Sequence, residues 1–202
     1  MLRLWLYGFV VLCVLALPTL AAAEEAEDAR LRSGAILGVN FVYVISDFDF
    51  ESSSFDSDDP LGVEVSAGYR FNRYVSLEGI LQYISEFDID VNAGFPATFT
   101  AWGLSFMPAT KVYPLADVLP PWVQPFGQFG IGVLFAHADG FGSDNDATAG
   151  FRFGGGVDFY LAPQVVLRAG GGYVLAASDM TLFGEDVTPS YAPITAGLEF
   201  RF

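Results

Sequence analysis

Eight stretches of the chain alternate apolar and polar residues with period two, the spacing of a β-strand, and polar, turn-rich segments separate them. The first runs from Gly34 to about Ser46, with Leu37, Val39, Phe41, Tyr43 and Ile45 on one face. The second, from about Leu61 to Phe71, sets Val63, Val65, Ala67, Tyr69 and Phe71 against Glu64, Ser66, Gly68 and Arg70. The third, Tyr74 to about Ser85, sets Val75, Leu77, Leu81 and Tyr83 against Ser76, Glu78 and Gln82. The fourth spans about Thr98 to Tyr113, with Trp102, Leu104 and Phe106 on its apolar face. Pro108 cannot donate to a ladder, so a bulge or an early strand end is expected near Met107. The fifth covers about Val123 to Ala136 (Phe129, Ile131, Val133 and Phe135 against Gln124, Gln128, Gly130 and Gly132). The sixth covers about Thr148 to Leu161 (Phe151, Phe153, Val157 and Phe159 against Arg152, Gly154, Gly156 and Asp158). The seventh runs from Val165 to about Ala176, with Val165, Leu167, Ala169, Tyr173 and Leu175 opposite Arg168, Gly170 and Gly172. In the last, Ala192 to Phe202, Ile194, Ala196, Leu198, Phe200 and Phe202 share one face and Thr195, Gly197, Glu199 and Arg201 the other.

An apolar strand at the end of an open sheet is an exposed edge that invites aggregation, and closure into a barrel removes it. The apolar faces then look outward at lipid and the charged faces inward, the inversion found in outer-membrane barrels. Strands of ten or more residues match a tilted crossing of a bilayer. The connections also alternate. Those after strands two, four and six are short or proline-rich; those after one, three, five and seven are long and polar, as periplasmic turns and outer loops are. The acids follow the same parity: Asp47, Asp49, Glu51, Asp56, Asp58 and Asp59 in the first long loop, Glu86, Asp88 and Asp90 in the second, Asp139, Asp144 and Asp146 in the third, and Asp179, Glu185 and Asp186 in the fourth. Tyr69, Phe71, Tyr74, Trp122, Phe159, Phe200 and Phe202 fall near the periplasmic ends, and Tyr43, Tyr83, Phe135 and Tyr173 toward the outer ends, as two interfacial girdles require. The expected fold class is all-β: an eight-stranded antiparallel up-and-down transmembrane β-barrel in the outer membrane, preceded by a signal peptide.

Composition refines this picture. The 202 residues suit one domain, and their 52% hydrophobic content and mean hydropathy of +0.42 come with one helix-like apolar run, Leu4 to Leu17. That run follows Arg3 and ends at Ala21-Ala22-Ala23, so residues 1–23 read as a secretory signal cleaved before Glu24. Residues 24–33 read as a short acidic lead-in and 34–202 as the barrel. Cys13 lies in the signal, and Leu12 before it is too bulky for a lipoprotein site; the mature chain has no thiol chemistry. Twenty-four acids against 9 bases give a net charge of −15, which argues against nucleic acid as a partner.

The run Lys111-Val112-Tyr113-Pro114-Leu115, then Trp122-Val123-Gln124-Pro125-Phe126-Gly127 and Gly130-Ile131-Gly132, resembles the periplasmic hairpin of the small outer-membrane β-barrel domain family, which includes the OmpA-, OmpX- and opacity-protein-like barrels. The closing Gly197-Leu198-Glu199-Phe200-Arg201-Phe202 is similar to the terminal aromatic signal read by the barrel assembly machinery, with Phe200 and Phe202 carrying it. The resemblance implies a non-enzymatic barrel in membrane integrity, surface interaction or adhesion. Its implied partners are membrane lipid, lipopolysaccharide, the assembly machinery during insertion, and a surface ligand. The peptidoglycan-binding domain of OmpA-like proteins has no counterpart here, so wall anchoring is not implied.

The candidate site is the set of inward charges, Glu64, Arg70, Glu78, Lys111, Arg152, Asp158, Arg168, Glu199 and Arg201, four acids and five bases. Asp158 and Arg168 are equidistant from the turn at Pro163 and should face each other, with Glu199 extending the pair; Arg70 and Glu78 are diagonal neighbours across Asn72-Arg73. The expected outcome is a salt-bridge plug, because eight strands leave a lumen that side chains fill. The alternative is a charged constriction in a narrow channel for small or apolar solutes, which a hydrophobic gap in the wall would favour. The acidic loops are expected to be solvated surface; Asp144-Asn145-Asp146 lacks the Gly and Glu of a calcium loop, so no metal site or cofactor is expected. Phe48, Phe50 and Phe55 among the acids suggest a partner-binding surface. His137 with Ser143 raises a lipid-A-modifying enzyme as a third possibility, but no nucleophile–base–orienter set accompanies them, so no catalytic residue is assigned. The repeats Gly154-Gly155-Gly156 and Gly170-Gly171-Gly172 have no helix after them and serve curvature rather than phosphate binding.

Overall fold

A computed structural model describes residues 32–45, 60–92, 96–139, 143–182, 185–187 and 189–202. The strands are β1 (Gly34–Ile45), β2 (Leu61–Arg70), β3 (Val75–Asn92), β4 (Pro96–Val112), β5 (Val123–Asp139), β6 (Ser143–Ala162), β7 (Val165–Ala176), β8 (Met180–Leu182), β9 (Glu185–Val187) and β10 (Ala192–Arg201). Eight of them close into a barrel in the order β1-β10-β7-β6-β5-β4-β3-β2, and β8 and β9 form a separate hairpin. Every wall contact is antiparallel, and β1 completes the ring on β10 over the run Ile36↔Arg201 to Ile45↔Ala192. Closure satisfies the edges that an open sheet would leave unpaired, which is the condition for spanning a bilayer with strands.

The period-two pattern becomes two surfaces. In β1 buried and exposed residues alternate: Ile36, Asn40, Val42 and Val44 face in, while Leu37, Val39, Phe41 and Tyr43 face out. The same holds around the wall, where Leu81, Phe106, Phe129, Ile131, Phe153 and Ile194 are exposed. A wall whose outer face is aliphatic and aromatic and whose inner face holds charge is built for lipid, not water.

Three expectations are corrected. Strands β3, β5 and β6 rise beyond the bounds read from alternation, while β4 keeps its bounds to within two residues. Pairing continues to Asn92↔Pro96 on one hairpin and to Asp139↔Ser143 on the next. Glu86, Asp88, Asp90, Asp139, Asp144 and Asp146 therefore lie on strands, not in loops, because backbone pairing above the bilayer needs no apolar face. A bulge between Ile84 and Phe87 shifts the register of β3 and so reverses its parity there. Pro108, by contrast, causes no bulge. Phe106↔Val133 and Ala109↔Gly130 keep one register on either side of it, and β4 runs on to Val112. Gly132 absorbs the crowding, since a Cβ on it would meet the Phe106 carbonyl oxygen at 2.0 Å. Finally, the fourth connection contains the β8–β9 hairpin, with Glu185 and Asp186 on β9. The signal and most of the lead-in (1–31), the first loop's acids (Asp47, Asp49, Glu51, Asp56, Asp58, Asp59) and Phe48, Phe50 and Phe55 lie outside the described residues.

Candidate functional site

Six wall strands, β2, β3, β4, β6, β7 and β10, bring the inward charges together. All nine are between 0 and 7% exposed. Most gather in the periplasmic half of the lumen around Arg168 of β7. Its Nε donates to Asp158 Oδ1 at 2.8 Å and its Nη2 to Asp158 Oδ2 at 3.3 Å, across the register pair Asp158↔Arg168. Nη1 reaches over the lumen to Glu78 Oε2 at 3.3 Å, and Nη2 also binds Glu199 Oε2. Lys111 Nζ sits 2.9 Å from Glu78 Oε1 and 4.0 Å from Glu199 Oε2. Arg201 closes the ring: Nε donates to Glu199 Oε1 at 2.7 Å and Nη2 to Asp158 Oδ2 at 3.3 Å. Glu78, Asp158 and Glu199 thus each face more than one cation, the condition under which buried charge is tolerable.

The odd base is Arg70. It lies diagonal to Glu78 in the β2–β3 ladder, yet Glu78 is occupied by Lys111 and Arg168. Arg70 instead donates to the carbonyls of Asn72 and Arg73 and to the Tyr160 hydroxyl, and its guanidinium lies 4.0 Å from the Tyr113 ring centroid. Neutral acceptors and a π-face hold the surplus charge. The ninth and eighth charges stand apart, higher in the barrel. Arg152 Nη1 is 2.7 Å from Glu64 Oε2 and donates to Gln82 at 3.1 Å, while Asn40 donates to Glu64 Oε1 at 2.9 Å.

Three aromatic residues that the alternation analysis passed over complete this half. Tyr113 donates its hydroxyl to Asp158 Oδ2 at 2.9 Å and packs with Ala116 and Phe126 in a buried cluster. The Phe126 ring projects inward, with Lys111 Nζ 4.7 Å and the Arg168 guanidinium 5.5 Å from its centroid. Gly156 and Gly170 make room for it; a Cβ on Gly156 would meet the ring at 2.9 Å. Tyr160 lies under Arg201, 4.5 Å from guanidinium carbon to centroid. Phe126 and Tyr160 share the inward parity of Gln124 and Asp158, so the signal was present in the spacing.

Below, the turn from Tyr113 to Trp122 folds under the barrel. Its Asp117 accepts from Arg73 Nη1 at 2.8 Å and from the Tyr74 hydroxyl, joining two periplasmic turns. Those bonds hold the Asp117 carboxyl below the usual carboxylate range, the Tyr74 bond contributing most, and push the Tyr74 hydroxyl up in turn.

Above the charges the lumen changes character. Val42, Val44, Ile84, Met107, Leu134 and Val174 fill it, and Met180 and Tyr191 of the fourth connection pack down onto them. Met180, at the start of the β8–β9 hairpin, is 1% exposed. Between the layers, Glu64, Lys111, Arg152, Arg168, Gln128 and Thr195 border a cavity of about 10 Å3, room for roughly one water.

The remaining candidates lie outside the lumen. Phe200 and Phe202 are exposed at the periplasmic rim, Phe202 to 75%. His137 faces outward near the top of β5, stacked on Trp102 and bonded to Asn145 through Nδ1. Ser143 pairs with Asp139, one row above His137↔Asn145 in the ladder. Among the described residues, no three His, Cys, Asp or Glu side chains group as a metal site.

The family model of the outer membrane protein beta-barrel domain matches residues 9–202. No curated protein matches the sequence. Among solved structures, the chain is similar to outer membrane protein OprG from Pseudomonas aeruginosa (15% identity, 85% of this chain and 97% of that one, TM-score 0.61). It is also similar to Neisserial surface protein A (17%, 84% and 97%, TM-score 0.57). A third likeness is to Ail, the attachment invasion locus protein of Yersinia pestis (19%, 84% and 97%, TM-score 0.50). At these identities the likeness is one of fold.

Proposed function

We propose that this chain, which belongs to the outer membrane protein beta-barrel domain family and resides in the outer membrane, is a closed, non-conducting and non-enzymatic barrel that works through its outer end, in membrane integrity or surface interaction. The observation that carries the reading is the double occlusion of the lumen: a buried ion network below and an apolar plug roofed by Met180 above. An ion would have to break the first and dewet against the second. The outer connections are rich in acid in the sequence, so a cationic or cation-bridged partner suits them. Ail has been solved with the heparin analogue sucrose octasulfate; the acidic outer end of this chain fits such a polyanion poorly. Phe200 and Phe202, exposed at the rim, are assigned as the segment read by the barrel assembly machinery.

The test is single-channel conductance of the refolded mature chain in a planar bilayer. No steps are expected from the wild type, nor from Arg168→Ala alone, because the apolar layer stays in place. Regular steps in the wild type would overturn the closed reading.

A second reading, a passage for small apolar solutes, is favoured by the apolar upper lumen and by the missing ladder bonds at Pro108. The close approach of Gly132 to the Phe106 carbonyl weighs against a gap in that wall. Uptake of a small apolar solute by liposomes carrying the protein, compared with empty liposomes, separates the two.

A further inference from the structure

Near the top of β4, β5 and β6 the outward face carries two rows set by the ladder. The upper is Trp102↔His137↔Asn145 and the lower is Leu104↔Phe135↔Ala147. They surround a hollow of about 430 Å3. The indole and the imidazole stack with centroids 5.2 Å apart and 34° between their planes, and Tyr83 adds a third ring 6.1 Å from Trp102. The Asn145 carbonyl orients the imidazole through Nδ1. Ala147 contributes only a methyl where Phe135 stands opposite, and the β6–β7 ladder stops at Gly150↔Ala176.

Its height on the wall is legible from the sequence. Outward positions on β5 are Phe129, Ile131, Val133 and Phe135, then His137, and above it the backbone ladder pairs Asp139 with Thr100 and with Ser143. The hollow therefore straddles the level where apolar residues give way to polar ones, which is where acyl chains end and headgroups begin. No Lys or Arg occurs between Arg73 and Lys111 or between Lys111 and Arg152, so the upper parts of β3 to β6 offer a phosphate no cation. An aromatic–imidazole platform beside an amide, over an apolar floor, instead suits the C–H face and hydroxyls of a sugar with its acyl chain beneath.

We propose that this hollow binds the sugar headgroup of an outer-leaflet glycolipid, with Trp102 and His137 as the stacking platform, Asn145 as the hydroxyl partner and Leu104 with Phe135 as the seat of the first methylenes. The proposal rests on the outward-working barrel above and names a lipid as one of its partners. It also makes the barrel wall, not only the loops, a recognition surface.

The protein carries its own reporter. Trp5 precedes Glu24, so the mature chain has Trp102 and Trp122, and Trp122→Phe leaves the hollow's indole as its sole tryptophan, excited selectively over tyrosine at the red edge of absorption. This variant, refolded in phosphatidylcholine nanodiscs, is titrated with lipopolysaccharide, with a neutral glucosyl diacylglycerol and with phosphatidylglycerol. A saturable change in Trp102 emission is expected with the two sugar lipids and none with phosphatidylglycerol. Asn145→Ala and His137→Ala should each raise the half-saturating mole fraction by about 3- to 10-fold. An equal response to phosphatidylglycerol, no response to any of the three, or unchanged half-saturation in both variants would overturn the proposal. Gel mobility with and without heating shows that each variant is folded. Conductance is read on the same preparation: silent bilayers with no sugar response sink this inference alone, whereas channel steps sink the closed-barrel reading whatever the fluorescence does.

Discussion

The two halves of the lumen occlude the same pore by opposite physics. In the periplasmic half, Glu78, Asp158, Glu199, Lys111, Arg168 and Arg201 hold one another through directional bonds drawn from five strands. In the outer half, Val42, Val44, Ile84, Met107, Leu134, Val174 and Met180 fill space without direction. A buried ion network is cooperative and unforgiving, because deleting one member strands the charges it faced. An apolar packing is tolerant, because neighbours of similar volume can shift into a gap. The barrel therefore couples a rigid base to an adaptable upper plug, and the plug is the part joined to the β8–β9 hairpin through Met180.

The strongest way to break that contrast is at Arg168. Arg168→Met leaves Asp158, Glu78 and Glu199 with fewer cations and should lower stability by about 3–5 kcal/mol, read from urea unfolding in lipid vesicles. Adding Asp158→Asn should recover part of the loss by removing one stranded carboxylate. If Arg168→Met is as stable as the wild type, the network is not what holds the base.

The corresponding cut in the outer half is Met107→Ala, expected to cost about 2 kcal/mol, at the low end for such truncations because Met180 and Leu134 can move in. The volume-conserving Leu134→Met should cost less than about 1.5 kcal/mol in the same assay. A larger loss from Leu134→Met than from Arg168→Met would reverse the comparison.

The smallest effect is expected beneath the base. Asp117, lowered by Tyr74 and Arg73, contributes stability above its unfolded pKa of about 4 and loses it as pH falls through the lower folded value. Asp117→Asn should lower stability slightly at neutral pH and converge with the wild type as pH falls, so that its profile is flatter below about pH 4. An acid limb identical to the wild type would show that the two turns are not coupled through this carboxylate.

How far the architecture was legible follows from where the physics is local. Alternation along β2, β7 and β10 places each side chain in or out without reference to any other strand, because successive residues of a strand point to opposite faces. It stopped short on β3, where the bulge after Ile84 reverses the parity and disguises Phe87, Ile89 and Val91 as a loop. It also misjudged Pro108, whose lost bond is accommodated by a glycine on the neighbouring strand. Asp158 and Arg168 could be paired in advance because one short turn joins them, whereas the preference of Arg70 for turn carbonyls over Glu78 could not.

The sequence alone thus determined the strands, their inward and outward faces, the parity of the turns and the lipid-facing inversion, all consequences of a two-residue period and of where polar groups can meet water. Only the closed barrel decided which charges meet. Arg168 and Glu78 are 90 residues apart, and their contact exists because curvature brings β7 and β3 across one narrow lumen. The same closure decided that the inward Phe126 packs over two glycines, that Met180 caps an apolar chamber, and that Trp102, His137 and Asn145 share one row. Registers between strands are set by the ring as a whole, and a period along one strand carries no information about its neighbours.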